Sequence, residues 1–232
     1  MPISPAKGEG MTTITTVVFD AYGTLLDVSA AARKAGLGPV WPDLSQVWRA
    51  KQLEYSWLRA LTGQHADFWQ VTAEALDYAL EACGLDDPTL PARLMDLYRH
   101  LDPYPETVDA LCAARARGLN TAILSNGSPT MLAEAVSAAG LTPHLDDVLS
   151  VETVGIYKPA PQVYDLATAR FACAPQEILF VSSNGWDIAG AGAFGCRTLW
   201  VNRAGAPVDR MPARPDVIRP DLTTLDEVLT HG

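Results

Sequence analysis

The sequence predicts an α/β fold built on a parallel sheet, interrupted after its first strand by an all-helical insertion. Three observations carry this expectation. Short β-branched runs recur along the chain, and each stops at a polar turn. Helical patterns of about ten to fifteen residues separate those runs, the spacing of βαβ units. One long stretch, from Ser29 to Asp102, has no strand-like run at all.

Ile14–Phe19 (ITTVVF) reads as a buried first strand that stops at Asp20, where Ala21-Tyr22-Gly23-Thr24 turns the chain. Leu119–Leu124 (LNTAIL) stops in the same way at Ser125-Asn126-Gly127, and Ile178–Val181 (ILFV) at Ser182-Ser183-Asn184-Gly185. A weaker strand over Asp147–Val151 runs into the turn Gly155-Ile156-Tyr157-Lys158-Pro159, and Cys196–Val201 reads as one more. Helical patterns lie between them near 105–117, 128–139, 159–170 and 186–194. Open parallel sheets bind ligands beyond the carboxyl ends of their strands. There the chain places Asp20, Ser125, Asn126, Ser182, Asn184 and, one loop later, Lys158.

The insertion has helical patterns around Leu44–Leu61, Ala66–Cys83 and Leu90–Leu101. Leu53, Trp57, Ala60 and Leu61 recur at helical spacing, as do Val71, Ala75, Tyr78 and Ala79. Four of the six tryptophans fall here: Trp41, Trp48, Trp57 and Trp69. The chain rejoins the core at the Pro103-Tyr104-Pro105 breaker. The expected division is a core over 11–28 and 104–232, a helical insert over 29–103 that caps the mouth of the sheet, and a leader or tag over 1–10.

Composition narrows the function. With 232 residues and 48% apolar content, the chain is long enough to bury a core without disulfide or metal staples. A formal charge of −10 argues against a nucleic-acid or anionic-membrane partner. No apolar run approaches the roughly 20 residues of a membrane helix. Cys83, Cys112, Cys173 and Cys196 show no zinc or CxxC spacing, so buried free thiols in a reducing cytoplasm are expected.

Taken alone, Asp20 reads as a turn-initiating aspartate, since Asp-x-x-Gly turns are frequent. Its company at the sheet edge favours a nucleophile. A carboxylate nucleophile needs a cation to keep it ionised and oriented, and Lys158 is placed to supply one. Asp187 stands at a helix start, where local sequence favours a cap over a partner for the lysine. Arg49 on a helix is commonly a solvated residue, but Trp48 beside it favours a buried role. Tyr22, Phe68 and Trp186 are candidate pocket walls or plain core, and Tyr164 is either a site residue or core. His65, His100, His144 and His231 fall in no motif.

Together these segments resemble the haloacid dehalogenase (HAD) superfamily, and within it the L-2-haloacid dehalogenases. The segments that carry the resemblance are FDAYGTLLDV (19–28), VWRAKQLEYSWLRAL (47–61), AILSNGSP (122–129), YKPAPQVY (157–164) and LFVSSNGWD (179–187). The resemblance implies a Rossmann-like HAD core with a cap. It further implies hydrolysis of L-2-haloalkanoic acids to D-2-hydroxy acids with inversion, through an ester on Asp20. By the same resemblance Thr24, Ser182, Asn184 and Asp187 hold Asp20, the water and Lys158. Ser125 and Asn126 form the carboxylate-binding loop, Arg49 receives departing halide, and Tyr22, Leu53, Phe68, Tyr164 and Trp186 complete the substrate site. The partners are then a 2-haloacid, water and halide, with a homodimer formed through the insert and no cofactor or metal. Two positions depart from the family pattern near the expected pocket mouth: Ala50 where a glutamine is usual, and Gly63-Gln64-His65 for Gly-Arg-Tyr.

Two rivals remain at this level. An Mg²⁺-dependent phosphatase of the same fold resembles D-x-D-G-T, whereas Tyr22 stands at the second Asp, and Asn184 replaces a carboxylate of the metal loop. A non-enzymatic binding protein has no need to keep Asp20, Arg49, Ser125, Lys158, Asn184 and Asp187 together.

Overall fold

The protein is described from a computed structural model that covers residues 13–29, 36 and 38–231; the expected leader at 1–10 lies outside the described residues. Six parallel strands form one sheet: β1 (Thr16–Phe19), β2 (Asn120–Ser125), β3 (Asp147–Ser150), β4 (Ile178–Ser182), β5 (Arg197–Val201) and β6 (Val217–Arg219). Their spatial order is β3-β2-β1-β4-β5-β6. β1 lies at the centre, and Val17, Val18 and Phe19 are fully buried, as expected of a strand covered on both faces. Phe19 pairs with Ile123 on one side and Val181 on the other. That register brings the three turns carrying Asp20, Ser125-Asn126 and Ser182–Asn184 to one edge.

The main helices among the described residues are α1 (Trp41–Thr62), α2 (Phe68–Ala82), α3 (Leu90–Leu97), α4 (Thr107–Ala116), α5 (Pro129–Ala138), α6 (Pro161–Phe171), α7 (Gly185–Phe194) and α8 (Leu225–His231). The first three form the insertion and the rest flank the sheet. Strand β6 and helix α8 were not foreseen. β6 has three residues between Pro215 and Pro220, too few to show a period. The third insert helix stops at Leu97, short of the expected Leu101.

The insertion leaves and re-enters the core through two adjacent crossings. Asp27 N–H donates to Asp102 O at 2.8 Å, Tyr104 N–H to Leu25 O at 3.0 Å, and Leu26 bridges antiparallel to Pro103. Within it, α1 does not bury the stripe its apolar residues suggest. Leu61 is 84% exposed and Leu53 and Trp57 are only half-buried, while Leu44, Trp48, Gln52 and Ser56 face inward. In α2 Val71, Ala75 and Ala79 are buried as expected, but Tyr78 is exposed. The inward stripe of α1 is partly polar because it faces α2 and the cleft. There Trp48 Nε1–H donates to Thr72 O and Gln52 Nε2–H to Thr72 Oγ1, each at 2.8 Å. All four cysteines are free, but only Cys196 is buried, and Cys112 is exposed beside His144.

Candidate active site

Asp20 follows the last residue of β1 and is 7% exposed. Its Oδ1 accepts from Lys158 Nζ at 3.3 Å, and its Oδ2 accepts from Asn184 Nδ2 at 2.9 Å. The Thr24 hydroxyl lies 3.2 Å from Oδ2 and itself accepts from Ser183 N–H at 2.8 Å. The turn between Asp20 and Thr24 depends on Gly23: its φ is +83°, and a Cβ there would stand 3.2 Å from Ser183 Oγ. Asp20 is therefore an oriented, hydrogen-bonded carboxylate and not merely the start of a turn.

Lys158 is fully buried. Its ammonium donates to Asp187 Oδ2 at 2.9 Å as well as to Asp20, and stands 4.9 Å from the centre of the Phe180 ring. Asp187 is not the cap that local sequence favoured. Asn184 holds the N-cap position of α7, and the Asp187 side chain turns inward, where its Oδ1 accepts from Tyr164 Oη at 2.8 Å. Burial pushes the Asp187 carboxyl above the usual carboxylate range, and the Lys158 charge pulls the other way. Tyr164 is at once core and site: burial, then the charge of Asp187, raise its phenol well above the ordinary value. Gly190 makes room for this contact, since a Cβ there would fall on the Tyr164 hydroxyl.

This chain gives a testable pH dependence. The Tyr164 hydroxyl stabilises the ionised form of Asp187, which in turn holds Lys158. Removing it in Tyr164→Phe lets Asp187 take up a proton at higher pH. The acid limb of the activity profile is expected to move to higher pH, with kcat at neutral pH reduced a few-fold. An unmoved limb in a folded variant would separate Tyr164 from the titration.

The remaining residues take more varied places. Arg49 is half-buried, not a solvated face: Nη2–H donates to Asn184 Oδ1 at 3.2 Å and Nη1–H to Gln52 Oε1 at 2.7 Å. Ser182 and Ser125 brace their own turns, accepting from the amides of Asn184 and Gly127 at 3.1 Å. Asn126 Oδ1 accepts from Lys158 N–H at 3.0 Å and so ties the second loop to the lysine. A cavity of about 240 Å³ opens on the site, with Tyr22, Trp41, Trp48, Arg49, Tyr98 and Asn184 among its walls. Leu53, Phe68 and Trp186 do not border it. Phe68 packs on Tyr157 and Trp186 on Trp57, while Leu53 is half-buried on α1. Ala50 is exposed on the outer side of α1 near Tyr78 and Ala82, away from the mouth where it was expected. His65 sits at the seam of insert and core, 2.8 Å from Glu152.

Tyr22 Oη, Trp57 Nε1 and Trp186 Nε1 are buried without hydrogen-bond partners among the described residues. Gln52, which holds the Arg49 guanidinium, was not among the residues expected at the site. Its signal was a glutamine three residues after Arg49, the spacing at which helix side chains meet. The donor set does not suit a hard dication: the Lys158 ammonium already bridges Asp20 and Asp187, and the third oxygen donor at the edge is an amide. Among the described residues no group of three or more His, Cys, Asp or Glu is placed to hold a metal ion.

A sequence profile described as haloacid dehalogenase-like hydrolase matches residues 14–195. The chain belongs to that family of hydrolases. Among its relatives, (S)-2-haloacid dehalogenase 1 of Pseudomonas sp. (strain CBS-3) is 52% identical over 200 residues, 85% of this chain and 88% of the relative. Haloacetate dehalogenase H-2 of Moraxella sp. (strain B) is 42% identical over 93% of this chain and 97% of its own. The structure of L-2-haloacid dehalogenase from Xanthobacter autotrophicus with chloropropionic acid covalently bound superposes with a TM-score of 0.84. It is 40% identical, over 94% of this chain and 99% of that one.

Proposed function

We propose that the protein is an (S)-2-haloacid dehalogenase, hydrolysing L-2-haloalkanoic acids to D-2-hydroxy acids. One oxygen of Asp20 attacks C2 from the side opposite the halogen; the new C–O bond forms as the carbon–halogen bond breaks and halide departs. Water then attacks Cγ of the Asp20 ester, the hydroxy acid leaves with the attacking oxygen, and the carboxylate is restored. Configuration inverts once, at C2. The observation that carries this reading is a buried carboxylate oriented by three donors, Lys158, Thr24 and Asn184, with the Arg49 guanidinium bonded to the same asparagine. A guanidinium near the departing halide stabilises charge that develops only in the transition state.

In this reading Lys158, with Asp187 and Tyr164 behind it, orients Asp20, and Ser125 and Asn126 face the substrate carboxylate. Tyr22 walls the cavity that takes the carbon chain, and Leu53, Phe68 and Trp186 back that site from outside the cavity, with 29–103 acting as a cap on a core of 11–28 and 104–232. No cofactor is required, a view supported by the ammonium between the two carboxylates. The free thiols fit a reducing cytoplasm, which cell fractionation would test. No helix among the described residues is long and apolar enough to cross a membrane. Exposed Leu58, Leu61 and Tyr78 on the insert support a homodimer; a monomer by light scattering would contradict it.

The test is halide release from each enantiomer of 2-chloropropionate with EDTA present. Release from the (S) enantiomer alone is expected. Metal-dependent turnover of a phosphate monoester, with no halide from either enantiomer, would favour a phosphatase instead.

A further inference from the structure

Arg203 lies just past β5, outside every sequence segment assigned to the reaction, yet it joins three parts of the molecule. Its side chain is only 20% exposed. Nη2–H donates to the carbonyl oxygen of Thr24 at 3.0 Å, and Nη1–H donates to Glu106 Oε1 at 2.7 Å. The guanidinium carbon stands 3.5 Å from the centre of the Tyr104 ring, and Nε is buried with no hydrogen-bond partner among the described residues. Tyr104 and Glu106 belong to the return crossing from the insert. Thr24 closes the nucleophile turn, and its hydroxyl lies 3.2 Å from Asp20 Oδ2.

An arginine serving only as an ion pair would be satisfied by Glu106. A planar fork holds two acceptors in a fixed relative geometry, which the flexible, rotating ammonium of a lysine does not impose. Here the second acceptor is the peptide carbonyl of the residue whose side chain touches the nucleophile. We propose that Arg203 is a positioning residue for the dehalogenation. It fixes the Asp20–Thr24 turn against the return crossing of the insert, and so aligns the attacking carboxylate. The inference rests on the proposed function for its catalytic part and on the geometry alone for its structural part.

Removing Arg203 by itself would strand Glu106, whose side chain is 14% exposed, and destabilise the protein for reasons unrelated to the site. The test therefore compares Glu106→Gln, which cuts the ion pair but spares the bond to Thr24, with the double variant Arg203→Met, Glu106→Gln. Small misplacements of a reacting group cost up to about 10²-fold in rate. The double variant is expected to lose kcat by about 10-fold or more on (S)-2-chloropropionate with KM within about 3-fold. Glu106→Gln should stay within about 2-fold of wild type, and Arg203→Lys should recover part of the loss.

Amide hydrogen exchange over Asp20–Asp27 supplies a readout independent of activity. Faster exchange in the double variant, and not in Glu106→Gln, is expected. Unchanged exchange, a kcat within about 2-fold in the folded double variant, or an equal loss in Glu106→Gln would each overturn the proposal. If wild type releases no halide, the dehalogenase reading falls, and exchange alone decides the role of Arg203.

Discussion

Asp20→Asn is expected to abolish halide release from (S)-2-chloropropionate, lowering kcat by about 10⁴-fold or more, as loss of a covalent nucleophile does. The amide keeps the shape of the carboxylate but lacks the charge and basicity to displace halide. Folding should survive, because the Lys158 ammonium keeps Asp187 at 2.9 Å and the neighbouring loops keep their own bonds. Circular dichroism with steady-state halide assays makes the check. Activity within about 10-fold of wild type in the folded variant would assign the displacement to another group.

Lys158→Met is expected to damage both stability and rate. The lysine is fully buried, and its removal leaves Asp20 and Asp187 facing each other with no cation between them. Breaking a buried pair by deleting one partner costs about 3–5 kcal/mol. For a chain of this size that lowers Tm by about 10 °C. The rate should fall by about 10³-fold, since one carboxylate takes up a proton and the nucleophile loses its orientation. Adding Asp187→Asn removes one of the stranded charges and should return part of the stability without returning activity. A Lys158→Met protein as stable as wild type would show that the two carboxylates do not share its charge.

Much of this site was legible in the sequence because parallel sheets place their chemistry at strand ends. Asp20, Ser125, Asn126, Ser182 and Asn184 each follow an apolar run, and the register of β1 with β2 and β4 carries them to a common edge. Lys158 could be read from its loop and motif. What local patterns hid were interactions decided across long sequence separations. Asp187 looks like a cap because it opens a helix, but its partners come from α6 and the loop before it. Gln52 and Thr72 form a buried polar contact between two insert helices, so the apolar period of α1 pointed to the wrong face. Arg203 gave no signal, because its partners Thr24 and Glu106 are far away in the chain. β6 escaped notice through shortness.

The sharpest test of the mechanism follows the oxygen atoms. A single turnover of (S)-2-chloropropionate, with enzyme in excess and in H₂¹⁸O, is followed by mass spectrometry of the product and of the peptide containing Asp20. The mechanism predicts an unlabelled hydroxyl in the product and one ¹⁸O in the Asp20 carboxylate, because water attacks Cγ of the ester. Label in the product hydroxyl with none in Asp20 would mean that water attacks C2 directly, and the ester mechanism would be wrong.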